Sequence, residues 1–299
     1  MTTVSTNLIQ PLIPDDARHV RLPWSSPFDT ASLAAHLAAH PGRSLWMPQT
    51  GEYVIGEPWR HRQQITSIID IAVRDHGHAL VQALANSAMA ISHDLVVMTD
   101  FANTRRPGSY NDMGLHLIQE VYCYELPVIP REPPFGTLRF TPLNLADPND
   151  RAALLTVDHQ AFPWLWWNTM EEFASYMDAP GVVVYLGRDA SGRVVAYFGI
   201  THYRDWGHLD RIGVIPEMQG RGLGLESLRC VIALLAGAGA TRIGLSTQAT
   251  NTRSQQLYQR FGFRRTYQND YVIYGHWINP ERERTVFATD QSGERSGHA

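Results

Sequence analysis

The 299-residue chain contains no lysine: all 25 of its basic residues are arginine, set against 29 carboxylates for a formal net charge of −4. That absence excludes Schiff-base and pyridoxal phosphate chemistry and any biotin or lipoyl attachment. It also excludes a phosphate loop ending in G-K-S/T. Arginine-biased codon usage in a GC-rich genome accounts for it, whereas hyperthermophilic adaptation enriches lysine and glutamate. Cysteine is nearly as scarce. Cys123 and Cys230 are too few for a disulfide framework or a four-thiolate zinc site, so a reducing, cytoplasmic setting is expected. Long apolar runs are missing too. The longest, Cys230–Ala236, falls far short of the roughly 20 residues that span a bilayer, and no membrane association is expected. The opening residues MTTVSTNLIQPLIP lack a basic and an apolar region, so no signal peptide is expected. Scattered arginines on a mildly acidic chain leave no nucleic-acid footprint.

What is present suits an α/β protein of two domains. Residues 127–136, PVIPREPPFG, carry four prolines, which block helix and central strand alike and mark a linker. We therefore expect one domain over 1–130, a second over 137–280, and a flexible tail over 281–299. In the first half, Asp29 or Thr30 is a candidate cap for a helix over 31–39. Strands are expected around 46–55, 65–73, 95–99 and 115–126, with a helix over 77–92. The second half repeats the alternation. Helices are expected at 149–158, 170–177, 222–238 and 254–260, and strands at 138–140, 182–186, 194–201, 209–214, 242–247 and 267–277.

The most informative segment is Val214-Ile-Pro-Glu-Met-Gln-Gly-Arg-Gly-Leu-Gly224, which follows a strand and opens a helix. Gly220, Gly222 and Gly224 remove side chains, so backbone N–H groups can converge on an anion. The positive end of the helix adds to that field, and Gln219 and Arg221 are candidate side-chain donors. Q-G-R-G-L-G resembles the R/Q-x-x-G-x-G/A signature of the GNAT superfamily of acyl-CoA-dependent N-acyltransferases. Val214-Ile-Pro216 resembles the V-x-P that precedes that turn. Asn251-Thr-Arg-Ser-Gln-Gln-Leu-Tyr-Gln-Arg-Phe-Gly-Phe263 resembles the family's N-x-x-small-x-x-x-Y-x-x-x-G-F segment. The resemblance implies a mixed sheet flanked by helices, with the strand before the turn splayed from its neighbour to admit acetyl-CoA. It implies that backbone groups of Ile212, Gly213 and Val214 pair with pantetheine amides. Gln219, Gly220, Arg221, Gly222, Leu223 and Gly224 hold the pyrophosphate, and Asn251 contacts the pantetheine or the loop beside it.

Acetylating an amine requires a neutral amine, a stabilised oxyanion and a protonated leaving thiolate. Tyr258 occupies the family's tyrosine position, which implies the acid for the CoA sulfur; the alternative is a core tyrosine anchoring its helix. For the base, strand alternation puts His208, Asp210 and Ile212 on one face. His208-Leu-Asp210 resembles the His-x-His strand of arylalkylamine acetyltransferases, with aspartate replacing the second histidine. His208, Asp210 and a water-mediated route all stand as candidates. The alternative for Asp210 is an ion pair with Arg211 or Arg242. Phe162, Trp164 and Trp166, within Phe162-Pro-Trp-Leu-Trp-Trp167, form either an acceptor wall or an aromatic core cluster. His36 and His40 share a helix face. No Glu or third ligand accompanies them, so no metal is expected.

The first half echoes these motifs. Arg74-Asp-His-Gly-His-Ala79 fits the same turn signature and also opens a helix, and Tyr110-x-x-x-Gly114 matches Tyr258-x-x-x-Gly262 at a similar offset. Order and spacing argue for tandem GNAT-like domains. His76, His78 and Ala79 make the first turn bulkier than its counterpart, and Pro107 follows Asn103 closely, so the first copy is expected to be degenerate. The expected function is transfer of acetyl from acetyl-CoA to a small-molecule amine, by a monomer or a homodimer. The competing reading is a non-catalytic acyl-CoA-binding module.

Overall fold

The computed structural model describes residues 8–101, 107–130 and 136–283. They divide into two units, one built from the residues up to Glu120 together with those from Tyr271 on, the other from Val121–Asp270. The first unit contains β1 (Gln10–Pro11), α1 (Thr30–Ala39), β2 (Leu45–Met47), β3 (Glu52–Trp59), β4 (Arg62–Ala72), α2 (Gly77–Ala90), β5 (Leu95–Phe101) and α3 (Pro107–Asp112). Strand β6 (His116–Leu126) runs from this unit into the second. The second unit continues with β7 (Arg139–Pro142), α4 (Pro148–Ala161), α5 (Met170–Met177), β8 (Val182–Arg188), β9 (Val194–Tyr203) and β10 (Trp206–Val214). It is completed by α6 (Leu223–Gly237), β11 (Arg242–Gln248), α7 (Thr252–Phe261) and β12 (Arg264–Arg265). The last strand, β13 (Tyr271–Trp277), returns to the first unit.

Both units follow one plan. A hairpin, β3–β4 in one and β9–β10 in the other, leads through a turn into a long helix. A parallel strand, a short helix and antiparallel strands follow. The strand order within the first unit is β1-β2-β3-β4-β5-β13-β6, and within the second β6-β11-β10-β9-β8-β7, with β12 on β6. The α/β mixed-sheet expectation and the doubling of the fold hold.

The domain boundaries differ from the expectation of 1–130 and 137–280. Tyr271–Trp277 pairs antiparallel with Leu95–Phe101 of the first unit, while Val121–Leu126 pairs antiparallel with β11 of the second. Each unit thus takes a strand from the other half of the chain. Side-chain alternation reports which face a strand buries, not which strand it pairs with. Gly275 suits the borrowed strand to its new neighbours, since a Cβ there would lie 2.4 Å from Ile118 Cδ1 and 2.8 Å from the Val96 carbonyl. The expected tail lies outside the described residues from 284 on, and the linker lies outside them over 131–135.

Helix α6 shows how the second core is made. Leu228, Val231, Ile232 and Leu235 recur at helical spacing, are almost fully buried, and pack on Phe198, Ile200, Leu209, Ile243 and Leu245. Each such side chain contributes on the order of 1.5–3 kcal/mol. On the first unit, Asp29 caps α1 by accepting from Ser32 N at 2.7 Å. Before α1, Leu12 and Ala17 are buried against Leu33 and Leu37. Among the described residues no helix is long and apolar enough to cross a membrane.

Candidate active site

Between β10 and α6 the chain passes through a short helical turn, Pro216–Met218, and then through Gly220 and Gly222 with φ of 81° and 83°. Left-handed residues on either side of Arg221 turn successive N–H groups toward one point, an anion-binding concavity. A Cβ on Gly222 would meet nothing within 4 Å, so glycine serves the conformation and the space beside it is open. Gly222 caps α6 without a side-chain hydrogen bond, which leaves the first helical N–H groups for a ligand. Leu223 is buried with Val214 and Ile215 and offers the turn only its backbone. Gln219 is not a spare donor as expected: its Nε2 donates to the Val214 carbonyl at 2.9 Å and its Oε1 accepts from Arg253 Nη1 at 3.0 Å. The cation so placed, Arg253, went unnoticed in the sequence because it occupies a variable slot of its motif. Arg221 and Arg253 are both exposed. Gly222→Asp is expected to weaken CoA binding at least 100-fold through bulk and like charge, measured by calorimetric titration; unchanged affinity would remove the turn from the cofactor site.

Strand β10 pairs in parallel with β11 only from Trp206 to Leu209, while its antiparallel pairing with β9 continues to Val214. Beyond Leu209 the two parallel partners separate, as the resemblance implies. The pairing also slips: Leu209 faces Ile200 and Arg211 faces Gly199, so Asp210 is the extra residue of a β-bulge. A bulge breaks strict alternation, and this corrects the sequence reading. His208 and Asp210 share a face as expected. Ile212 turns to the other and packs with Leu209 and the α6 cluster, and Arg211 joins Asp210 on the side of α4 and α5. Gly213 has Ala161, Tyr197 and Phe162 within about 3.2 Å of where a Cβ would sit.

On that side His208 Nδ1 lies 2.7 Å from Asp210 Oδ1. A carboxylate accepts, so Nδ1 carries the proton and Nε2 is the nitrogen left to take one. The second carboxylate oxygen of Asp210 accepts from Tyr176 OH at 2.5 Å and from Thr201 Oγ1 at 2.8 Å. His208 and Asp210 side chains are each 24% exposed. Burial, and after it the charge of Asp210, raise the Tyr176 hydroxyl well above its ordinary pKa and keep it a donor. Asp210 is thus held by three donors and orients the imidazole, the logic of a histidine–carboxylate pair. It pairs with neither Arg211 nor Arg242, which bind Asp158 and Glu125. Thr201 was findable from the sequence, since it stands opposite His208 in a hairpin closed by Arg204-Asp205. Tyr176, at the end of α5, was not.

Tyr258 lies on α7, only 3% exposed, in the cluster with Tyr124 and Phe263. Burial pushes its hydroxyl up to about 12, with a hydrogen bond to Ser254 acting the other way, so it stays protonated at neutral pH. Asn251 caps that helix, its Oδ1 accepting from Ser254 N at 3.1 Å; this carbonyl is spent on the fold.

The aromatic segment resolves unevenly. Arg211 lies 3.9 Å over the ring of Phe162, and it donates to Tyr197 OH at 2.7 Å, Asp158 Oδ1 at 2.6 Å and the Trp166 carbonyl at 2.9 Å. Trp166 itself is buried. Trp166 therefore belongs to the core, and Phe162, half-buried, stacks on a buried ion-pair network. Trp164, half-buried, keeps the candidacy.

In the first unit the turn before α2 has no left-handed residue, and its backbone N–H groups already hold an acceptor. The backbone N–H groups of Asp75 and His76 donate to Glu52 Oε1 at 2.8 and 3.3 Å, the N–H of Arg74 does so at 2.5 Å, and His76 Nδ1 bonds the other oxygen. Strand β3 thus delivers its own carboxylate, 4% exposed, to the N–H groups that precede α2. No local motif announces Glu52, because it lies 22 residues before Arg74. The expectation that no third donor accompanies His36 and His40 is also corrected, for Glu57 of β3 lies beside them.

Residues 148–263 match the model of the Acetyltransferase (GNAT) family. The chain is 27% identical over 191 residues to a mycothiol acetyltransferase of Mycolicibacterium smegmatis, covering 60% of this chain and 58% of that protein. A mycothiol acetyltransferase of Mycolicibacterium gilvum is 26% identical over 166 residues, covering 50% and 54%. The chain thus spans a little over half the length of these relatives. Among solved structures, a GCN5-related N-acetyltransferase from Sphaerobacter thermophilus superposes with a TM-score of 0.55 at 17% identity, covering 91% of this chain and 96% of that one. A tandem GNAT protein from the clavulanic acid biosynthesis pathway gives 0.54 at 14%, covering 91% and 98%. These two share the fold.

Proposed function

Since residues 148–263 belong to the acetyltransferase (GNAT) family, we propose that the chain transfers an acetyl group from acetyl-CoA to a primary amine of a small molecule by direct attack in a ternary complex. The observation that carries this reading is the His208–Asp210 pair on β10, set where that strand parts from β11 and leads into the glycine turn. The residues fit acetyl-CoA: backbone of Ile212–Val214 along the open edge, and the N–H groups of Gly220–Gly224 with Arg221 and Arg253 toward phosphate. The incoming ammonium must lose its proton before it can attack, and His208 Nε2 takes it while Asp210 stabilises the imidazolium. The C–N bond forms as the C–S bond breaks, Tyr258 OH gives its proton to the departing sulfur, and the second proton lost by the attacking nitrogen returns to Tyr258 through solvent. Products are an amide and free CoA thiol. We assign the first unit a supporting role, because Glu52 fills its anion cradle.

The test is thiol release from acetyl-CoA over a panel of small amines. Amine-dependent release is expected, with Tyr258→Phe lowering kcat by about 10²-fold at an unchanged melting temperature. CoA binding with no turnover of any amine, together with an inert Tyr258→Phe, would instead support a non-catalytic acyl-CoA-binding module.

A further inference from the structure

We propose that His36, His40 and Glu57 form a site for one divalent transition-metal ion of the zinc class, in the first unit and independent of the transferase chemistry. His36 lies in the last turn of α1 and His40 caps the end of that helix, its backbone N–H donating to the His36 carbonyl at 3.0 Å, so the two rings lie side by side. Glu57 comes from β3. One donor atom from each residue lies within 4.8 Å of the other two, and all three side chains are half-buried. Ligands about 2.0–2.2 Å from a tetrahedral zinc ion stand roughly 3.4 Å apart. The cluster therefore closes on an ion through small rotamer adjustments, with no movement of helix or strand.

Two imidazoles and one carboxylate are a donor set for zinc and its neighbours rather than for calcium or magnesium, which favour all-oxygen shells. The surroundings have the character of a supported site. His36 Nε2 lies 3.1 Å from the Gly56 carbonyl. A carbonyl only accepts, so Nε2 carries the proton and Nδ1 holds the lone pair, the outer contact that commonly fixes a metal-binding histidine. The His36 ring also packs against Phe28, with centroids 5.0 Å apart, and against His40 at 4.7 Å. The elements carrying the donors are anchored: Asp29 caps α1, Leu33 and Leu37 of that helix are buried in the core, and Glu57 stands opposite Ser67 where β3 pairs with β4. Three protein ligands leave a fourth position for water, and the ion would pin α1 to β3.

The full-length chain, stripped with a chelator, is titrated with zinc chloride by calorimetry and with cobalt chloride by visible absorption. One ion per chain at micromolar affinity or tighter is expected, with a cobalt band diagnostic of four-coordination. Zinc is expected to raise the melting temperature of the wild type. Glu57→Gln keeps size and is expected to lose at least ten-fold in affinity and to abolish the thermal shift, with an unchanged circular dichroism spectrum. His40→Asn is expected to do the same; should it not fold, Glu57→Gln carries the test. No stoichiometric binding by the wild type would overturn the proposal, as would undiminished binding by Glu57→Gln.

Discussion

Replacing His208 by alanine is expected to lower kcat/KM for amine acetylation by about 10²–10³-fold while leaving acetyl-CoA affinity within about two-fold. The expectation rests on what each atom of the pair is already doing. Nδ1 is committed to Asp210, and both Asp210 oxygens are filled by His208, Tyr176 and Thr201. Three donors already occupy that carboxylate, which fits it to orient the imidazole. The imidazole retains Nε2, so the proton goes there. Steady-state kinetics distinguish the alternatives: with His208 as base, His208→Ala is the more damaging substitution, and Asp210→Asn loses about 10²-fold in rate, since it removes the charge that stabilises the imidazolium. Tyr176→Phe removes one of three donors and is expected to cost about ten-fold or less. The opposite ranking, a mild His208→Ala and a dead Asp210→Asn, would make Asp210 the base.

The glycine turn and α6 were legible because left-handed backbone and an uncapped helix start impose residue types at fixed spacing: Gly220, Gly222, then Leu228, Val231, Ile232 and Leu235. The element types were legible for the same reason, periodicity being a local property. What escaped was non-local. Ile212 was put on the face of His208 because alternation was carried through Asp210, and nothing in Leu209-Asp-Arg211 signals the bulge. The exchange of β13 and Val121–Leu126 between units depends on pairing partners, to which composition is blind. Trp166 looked like part of a ligand wall because an aromatic run does not disclose that Arg211 and Asp158 lie beneath it. Glu52 and Glu57 escaped because each acts on residues one or two elements away. In both cases the helix or turn carrying the partners is legible, and so is a strand over 46–55, but not that a carboxylate of β3 reaches those partners.

Glu52→Ala is expected to destabilise the first unit by about 3 kcal/mol at neutral pH, and its pH dependence makes the cause identifiable. Burial by itself would raise the Glu52 carboxyl; the N–H groups of Arg74 and Asp75 and the His76 ring outweigh burial and bring it down to about 2, from an ordinary 4.5. That difference of roughly 2.5 pH units corresponds to about 3 kcal/mol, with little solvent screening because the side chain is 5% exposed. A carboxyl depressed on folding stabilises fully above 4.5 and loses that contribution as pH falls from 4.5 toward 2. Urea unfolding at a series of pH values should therefore show the wild type weakening through this window and Glu52→Gln showing a correspondingly flatter profile there. Equal slopes would mean that the carboxylate is not ionised in its cradle. Removing the carboxylate also leaves backbone donors at the start of α2 without an acceptor, each costly if it stays dry. Those donors are what an anion seeks. Inorganic phosphate is expected to raise the melting temperature of Glu52→Ala beyond its effect on the wild type, whose second unit offers the same anion an open turn. A greater rise would mean that the first copy of the fold kept its anion cradle and lost access to it, by placing a carboxylate of its own where the second copy receives a ligand. An equal effect on both proteins would place the obstruction in the bulk of His76 and His78 instead.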